Sequence, residues 1–329
     1  MAARVVTALL AAASAGAVIL PPGAASAAPT PTPTAAQPES VVMVGVRVLP
    51  GQKKRYGIGQ LVTLKFETPV TRRAAVEKAI KVTSDKELSA GSWAWVNDMT
   101  AVYRPKRFWP ANARITFTLP LAGLVLGQDG TTRYVAEGRR DRKYMMRTTR
   151  SFVMNIEDKR HRMTVKKDGR TVKKFGVSLG KPGWETRSGI KILTDEKYKR
   201  LRMTGYDPGK KEHWDVIAPY SIRLTPTGEF IHGAPWAKHR IGKWDGSHGC
   251  TNMRVRDARW LYHHSQQGDP VITKSTGRPM QVTNGTPGSY WNYSWGEWKR
   301  MSATFRGKDK PSDPARAMTL PPPAIDAGP

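Results

Sequence analysis

The sequence predicts a mainly β protein made of two β-rich bodies in series, with one main helix in the second. Three observations carry this. From residue 41 to about 150, apolar and polar residues alternate with period two in short runs broken by Pro and Gly, the pattern of a β-sandwich. From 151 to about 274, further strand-like runs meet at turn residues, and one stretch has helical periodicity. The 329 residues, 39% hydrophobic and 24% charged, suffice for two cores plus tails and exclude a wholly disordered chain.

Residues 1–28 have the layout of a secretory signal peptide. One basic residue, Arg4, precedes an apolar run over 5–20, and the small residues Ala25-Ser26-Ala27 follow. The run is shorter than the roughly 20 residues a membrane span needs. Export is therefore expected, to a cell wall or periplasm-like space, with a membrane contact only if the leader stays uncleaved. Residues 29–40 read as an extended Pro/Thr linker.

In the first body, 41–149, Val62, Leu64 and Phe66 alternate with Thr63 and Lys65, and Ile115, Phe117 and Leu119 with Thr116 and Thr118. Residues 92–96 and 101–103 read as a strand pair joined at Asn97-Asp98, and 71–80 as a short helix. In the second body, 150–275, residues 152–156, 163–165 and 172–177 read as strands, with a hairpin turn at Lys167-Asp168-Gly169-Arg170. Residues 229–232 read as a strand ending on a histidine. Asp257 and Gly268 bracket the main helix, 257–266, whose Ala258, Leu261, Tyr262 and Ser265 share a face. A small Trp-rich subdomain follows over 276–305; its aromatic cluster at 290–298 reads as a cap on a core rather than a sugar platform. Residues 306–329 are Pro-rich and expected to be disordered.

The formal net charge is +28, and its distribution matters. Residues 41–150 carry 21 basic and 8 acidic side chains, and 151–274 carry 25 and 13. No single basic arm collects the excess, which argues against a nucleic-acid-binding tail. A diffuse positive field suits a protein that works beside an anionic polymer such as a cell wall.

Cys250 is the sole cysteine, so no internal disulfide is available. Composition alone leaves it either an inert buried thiol or a reactive group. Its neighbours favour reactivity. His232-Gly233-Ala234-Pro235-Trp236 is followed, after a loop, by Ser247-His248-Gly249-Cys250-Thr251-Asn252. A thiol attacks as thiolate and needs a base to take its proton. His248 is two residues away, a poor geometry for a direct hydrogen bond. His232, at a strand end eighteen residues away, can be returned opposite the thiol and is the better base. Gly249 permits backbone angles that turn nearby amides toward a developing oxyanion.

This histidine, loop and Ser-His-Gly-Cys-x-Asn pattern resembles the signature of L,D-transpeptidases with the YkuD catalytic fold. The strand 225–232 and the helical segment 257–269 resemble the elements flanking that motif. Residues 62–148 resemble the Ig-like domain that precedes the catalytic domain in multi-domain members, and the Trp-rich segment resembles their C-terminal subdomain. The resemblance implies a transferase acting on peptidoglycan stem peptides as donor and acceptor, without a cofactor or metal. It implies that Cys250 attacks the L,D amide of a tetrapeptide, that a thioester forms, and that a diamino-acid amine resolves it into a 3→3 cross-link. It makes His232 the base, oriented by the Gly233 carbonyl, has His248 support the loop or the acyl donor, and counts Ser247 and Gly249 with them in the catalytic motif. Asn252, Trp214, Thr227, Gly228 and Trp236 fall where the family contacts substrate, and Met203 and Tyr206 fall in the region of its lid. Trp214 rests on an ungapped count back from His232, where a tyrosine often stands. Thr251 departs from the apolar residue usual after the cysteine.

Other readings were weighed against this one. His232, His239, His248 and Cys250 offer zinc-type ligands, but their spacing fits no compact zinc pattern. A wall-binding module without catalysis would use the charge but has no need of a nucleophile motif. An L,D-carboxypeptidase or an enzyme anchoring proteins to the wall would share the acyl-enzyme and differ only in its acceptor.

Overall fold

The computed structural model describes residues 5–6, 40–52, 55–209, 211–280, 282 and 287–306. The expected leader and linker, apart from 5–6 and 40, and nearly all of the expected disordered tail lie outside the described residues. The protein is mainly β, as its alternation predicts.

The first body packs two four-stranded sheets face to face. Val46–Leu49, Val62–Phe66, Thr100–Pro105 and Gly91–Asn97 lie side by side in one, and Arg55–Tyr56, Lys143–Thr148, Arg114–Thr118 and Lys81–Ser84 in the other. Strand side chains point alternately to the two faces. Val62, Leu64, Phe66, Ile115 and Phe117 therefore turn inward and join Trp95, Tyr144 and Met146 in one core. A small sheet containing Ser40–Val44, Thr132–Ala136 and Val125–Asp129 adjoins it, and the one short helix is Arg73–Ala79.

The second body also has two sheets. The first runs Arg170–Gly176, Arg162–Lys167, Phe152–Glu157, Pro270–Lys274, Gly189–Ile192. Its first hairpin turns at Asp168 and Gly169, both at positive φ. The second sheet runs Lys197–Asp207, Glu212–Arg223, Phe230–Gly233, Thr251–Met253. The helix Val255–His264 packs on it, beginning two residues before the predicted start. It buries Ala258 and Leu261 against Ile222, Ile231 and Met253. The long hairpin 197–223 was not legible as strands: most of its side chains are exposed or half-buried, so no apolar stripe marks it.

The two bodies are joined tightly. Gly57 and Gly59 donate their N–H groups to the Gln267 and Gly268 carbonyls at 2.8 and 2.9 Å. A Cβ at Gly57 would lie 2.3 Å from the Asp269 backbone nitrogen, so only glycine allows this approach. The C-terminal segment fills the remaining seam. Tyr290, Trp291, Trp298 and Met301 share one apolar cluster with Leu61, Ala94, Val96 and Val102 of the first body and Ile192 of the second. The helix Trp295–Arg300 starts with a capping box between Ser294 and Glu297. At the centre, the buried Arg104 donates to the carbonyls of Tyr290 and Tyr293, and its guanidinium lies 5.0 Å from the Trp298 ring centroid. The aromatic cluster thus covers a core, as its composition suggested.

Trp298 is fully buried, and its Nε1–H donates to the Ser92 carbonyl at 3.0 Å. Trp298→Ala should destabilise the chain by about 3–5 kcal/mol, the usual cost of truncating a buried aromatic. Guanidinium unfolding measures this; a loss under about 1 kcal/mol would mean the seam does not depend on this ring.

Candidate active site

Two neighbouring strands assemble the site. Phe230–Gly233 pairs in parallel with Thr251–Met253, Ile231 opposite Thr251 and His232 opposite Asn252. Neighbouring strands run about 4.8 Å apart. Cys250 precedes Thr251, so strand alternation gives Cys250 the same face as Asn252 and His232. All three line one cleft of about 340 Å³. The local sequence accounts for the pairing: Phe230, Ile231, Thr251 and Met253 are all buried, and Met253 and Ile231 pack in the core of the second body.

His232 is 3% exposed, and its Nδ1 lies 2.9 Å from the Gly233 carbonyl oxygen. A carbonyl only accepts, so Nδ1 carries the proton and Nε2 keeps a free lone pair. Burial pushes the imidazole down to about 4, partly offset by that hydrogen bond. The Cys250 residue keeps some solvent exposure, yet its thiol is densely surrounded. Burial pushes it up to about 11, against a hydrogen bond from the Phe230 backbone and the charge of Lys191; Glu229 adds to the rise. Its Sγ lies 3.7 Å from the Gly228 carbonyl oxygen. At neutral pH the thiol and the imidazole therefore both rest neutral.

The loop carrying the cysteine is held from several sides. The Ser247 hydroxyl donates to the Cys250 carbonyl at 2.6 Å and accepts the Gly249 N–H at 3.1 Å. Gly249, at φ +109°, thus spends its amide on Ser247 and does not offer it to an oxyanion. Thr186 Oγ1 donates to the Gly249 carbonyl. His248 stacks on Trp214 with ring centroids 5.1 Å apart and 7° between planes, and its Nε2 lies 3.1 Å from Asp207 Oδ2. Lys181 donates to the same oxygen, and these contacts, Lys181 first, hold the Asp207 carboxyl well below the usual carboxylate range. Asp207 closes the strand Lys197–Asp207 and Trp214 lies on the returning strand, so the tip of the long hairpin is tied to the cysteine loop.

Of the expected substrate-contacting residues, Asn252, Trp214, Met203 and Trp236 line the cleft. Asn252 is 2% exposed, and its Oδ1 has no hydrogen-bond partner. Trp236 is 38% exposed, beside the His232 ring. Thr227 and Gly228 form the turn below the sulfur. Tyr206 stands apart. Strand alternation puts it on the face opposite Met203 and Asp207, 47% exposed and against His213. His239 packs on Trp244 and does not line the cleft, so the four zinc-type ligands weighed from the sequence do not converge there.

Lys181, Asp207, Arg187, Lys191 and Glu229 escaped the sequence reading. None belongs to the motif around Cys250, and only folding brings them to the site. Among the described residues, one other group has metal-type donors close together: Asp158, His161 and Asp245. Asp245 already accepts the Leu179 N–H at 2.7 Å and faces His161 Nδ1 at 3.2 Å, so it serves to fix the loop. Burial and the hydrogen bond to Asp245 push the Asp158 carboxyl up to about 7.

Comparison with known proteins bears on both bodies. Residues 150–273 match the L,D-transpeptidase catalytic domain family YkuD, and residues 23–125 match the bacterial Ig domain family. L,D-transpeptidase 5 of Mycobacterium tuberculosis is 30% identical over 288 residues, covering 85% of this chain and 60% of that protein. The chain spans about three fifths of the length of the first curated relatives it matches. An L,D-transpeptidase structure from Mycobacterium smegmatis superposes with TM-score 0.57 at 26% identity, over 70% of this chain and 99% of that one. An L,D-transpeptidase solved in complex with imipenem gives the same score, identity and coverage.

The Asp207 tie has a definite pH dependence. A carboxyl whose folded value is depressed contributes stability that is complete above the unfolded aspartate value, about 3.9. That stability is lost as pH falls through the lower folded value. Hydrogen exchange should therefore show the hairpin tip protected unchanged from pH 7 to about 4.5 and opening only in stronger acid. Asp207→Asn should remove the protection already at neutral pH. Equal protection in that variant would show that the tie does not hold the tip.

Proposed function

We propose that this chain, which carries a YkuD-type L,D-transpeptidase catalytic domain behind a bacterial Ig-like domain, forms 3→3 peptidoglycan cross-links through a thioester on Cys250. The observation that carries the reading is the Nδ1–H bond from His232 to the Gly233 carbonyl, which leaves Nε2 as a base on the face of the chain's only thiol.

The resting protonation state sets the first step. With the thiol near 11 and the imidazole near 4, a standing thiolate–imidazolium pair is disfavoured. The proton passes from Sγ to Nε2 as sulfur attacks the carbonyl of the L,D amide. The C–N bond then breaks, and the imidazolium returns the proton to the departing D-alanine amine. A side-chain amine of a second stem attacks the thioester, His232 takes its proton, and the thiol is regenerated. The Asn252 Oδ1, a buried acceptor without a partner, accepts an N–H of the donor stem. Trp214 and Trp236 give the peptide apolar walls, Met203 lies on the same cleft, and Thr227 and Gly228 present backbone groups below it. His248 keeps the loop in register through Asp207 and takes no proton in the reaction. The diffuse positive charge holds the protein near an anionic wall, where these substrates are. Among the described residues, no helix is long and apolar enough to cross a membrane.

Incubation with a carbapenem, followed by intact-mass analysis, should give one adduct, localised to Cys250. An unmodified thiol in folded protein would favour the wall-binding module instead. With disaccharide-tetrapeptide donors, cross-linked dimers are the expected product. Tripeptides alone would make the protein a carboxypeptidase, and neither product without an added protein amine would make it an anchoring enzyme. Cys250→Ala should abolish turnover with the fold intact, and His232→Ala should cost about 10²–10⁴-fold. Turnover by His232→Ala near the wild-type level would mean the base is another group.

A further inference from the structure

Joined to Cys250 through the turn 225–228, and outside the lining of the cleft, lies a cluster of charges that the mechanism above does not use. Lys191, on the strand Gly189–Ile192, has a side chain with no solvent exposure. Its ammonium stands 3.5 Å from Glu229 Oε2 and donates to the Arg187 carbonyl at 2.5 Å. Glu229, itself 5% exposed, accepts the Arg187 backbone N–H at 2.9 Å on Oε1 and lies 3.2 Å from the Arg187 guanidinium. Burial pushes the Lys191 ammonium below its usual range, and the Glu229 carboxylate beside it opposes that shift; with the ammonium held as a cation by this pairing, two cations meet one carboxylate, a net charge of +1 where water is nearly excluded. Burying three charges is expensive.

Their place in the chain points to a use. Glu229 directly precedes the strand carrying His232, and its backbone closes the turn 225–228 through hydrogen bonds from Leu224 and Thr225. Arg187 Nη1 reaches Thr227 Oγ1 in that turn at 3.3 Å. The Gly228 carbonyl of the turn faces Cys250 Sγ. The cluster therefore fixes the turn whose Gly228 carbonyl faces the sulfur.

We propose that Arg187, Glu229 and Lys191 are positioning residues that set, through their net positive charge, how readily the Cys250 thiol gives up its proton. The inference rests on Cys250 being the nucleophile. Lys191 favours the thiolate and Glu229 opposes it, as the effects on the thiol already indicate. On the cleft side, His232 and His248 face the same loop, with Asp207 and Lys181 tied to His248. Glu212, Arg240 and Asp245 also line the cleft. All of these stay constant when only the buried cluster is changed.

The test uses the single thiol as its own reporter. The rate of iodoacetamide alkylation is measured at fixed pH values from 7 to 9 on the full chain, where it is proportional to the small thiolate fraction, beside the carbapenem acylation rate. Lys191→Met lowers the cluster's net charge and should slow alkylation about tenfold at each pH. Glu229→Gln raises the net charge and should speed it by a similar factor. The double variant restores +1 and should return the rate to the wild-type value, even if both single variants lose thermal stability. A merely structural role would move both single variants the same way or not at all, and either result overturns the proposal. If one single variant fails to fold, the double variant and the other single variant still decide. Should wild type alkylate normally but neither acylate nor turn over, the transpeptidase reading fails while the electrostatic one is still tested.

Discussion

The parallel pairing of Phe230–Gly233 with Thr251–Met253 is the constraint on which the site depends. It joins two segments eighteen residues apart in sequence and fixes them to within one residue. A slip of one residue would turn His232 to the opposite face from Cys250. The register is held by burial. Ile231, Thr251 and Met253 are inaccessible to solvent, and the helix that follows packs Ala258 and Leu261 onto the same core. Chemistry at the cleft is thus underwritten by apolar contacts on the far side of two short strands.

Around that pairing, each loop that touches the cleft is fastened by a polar group to something rigid. Ser247 ties the loop to itself, and Thr186 ties it to the strand region beyond. Asp207 ties it to the hairpin, and Asp245 ties it to Leu179. A nucleophile in an irregular loop needs such support, because a loop has no ladder of its own. The hairpin gains most from this arrangement. Its middle is exposed, and its tip is anchored where Asp207 meets His248 and Lys181 and where Trp214 stacks on His248.

Burial works against reactivity here: it keeps both the thiol and the imidazole neutral. The same exclusion of water strengthens any charge placed nearby. A buried cluster of odd net charge is therefore an economical means of adjusting a thiol without crowding the substrate.

The sequence by itself determined the two β-rich bodies, the main helix, the hairpin at Asp168-Gly169, and that His232 can return to the face of Cys250. These are local matters. Period-two alternation marks Val62 to Phe66, helical spacing marks Ala258 and Leu261, and a lone thiol amid Ser, His, Gly and Asn is chemically conspicuous. Only the tertiary structure decided that Tyr206 faces away from the cleft and that Gly249 spends its amide on Ser247. It alone brought Asp207, Lys181, Glu229, Lys191 and Arg187 to the loop. Those residues lie outside the motif around Cys250, and a single charge has no periodicity to read. Their meaning comes from distance in space, which is set by how the two sheets of the second body pack over one core.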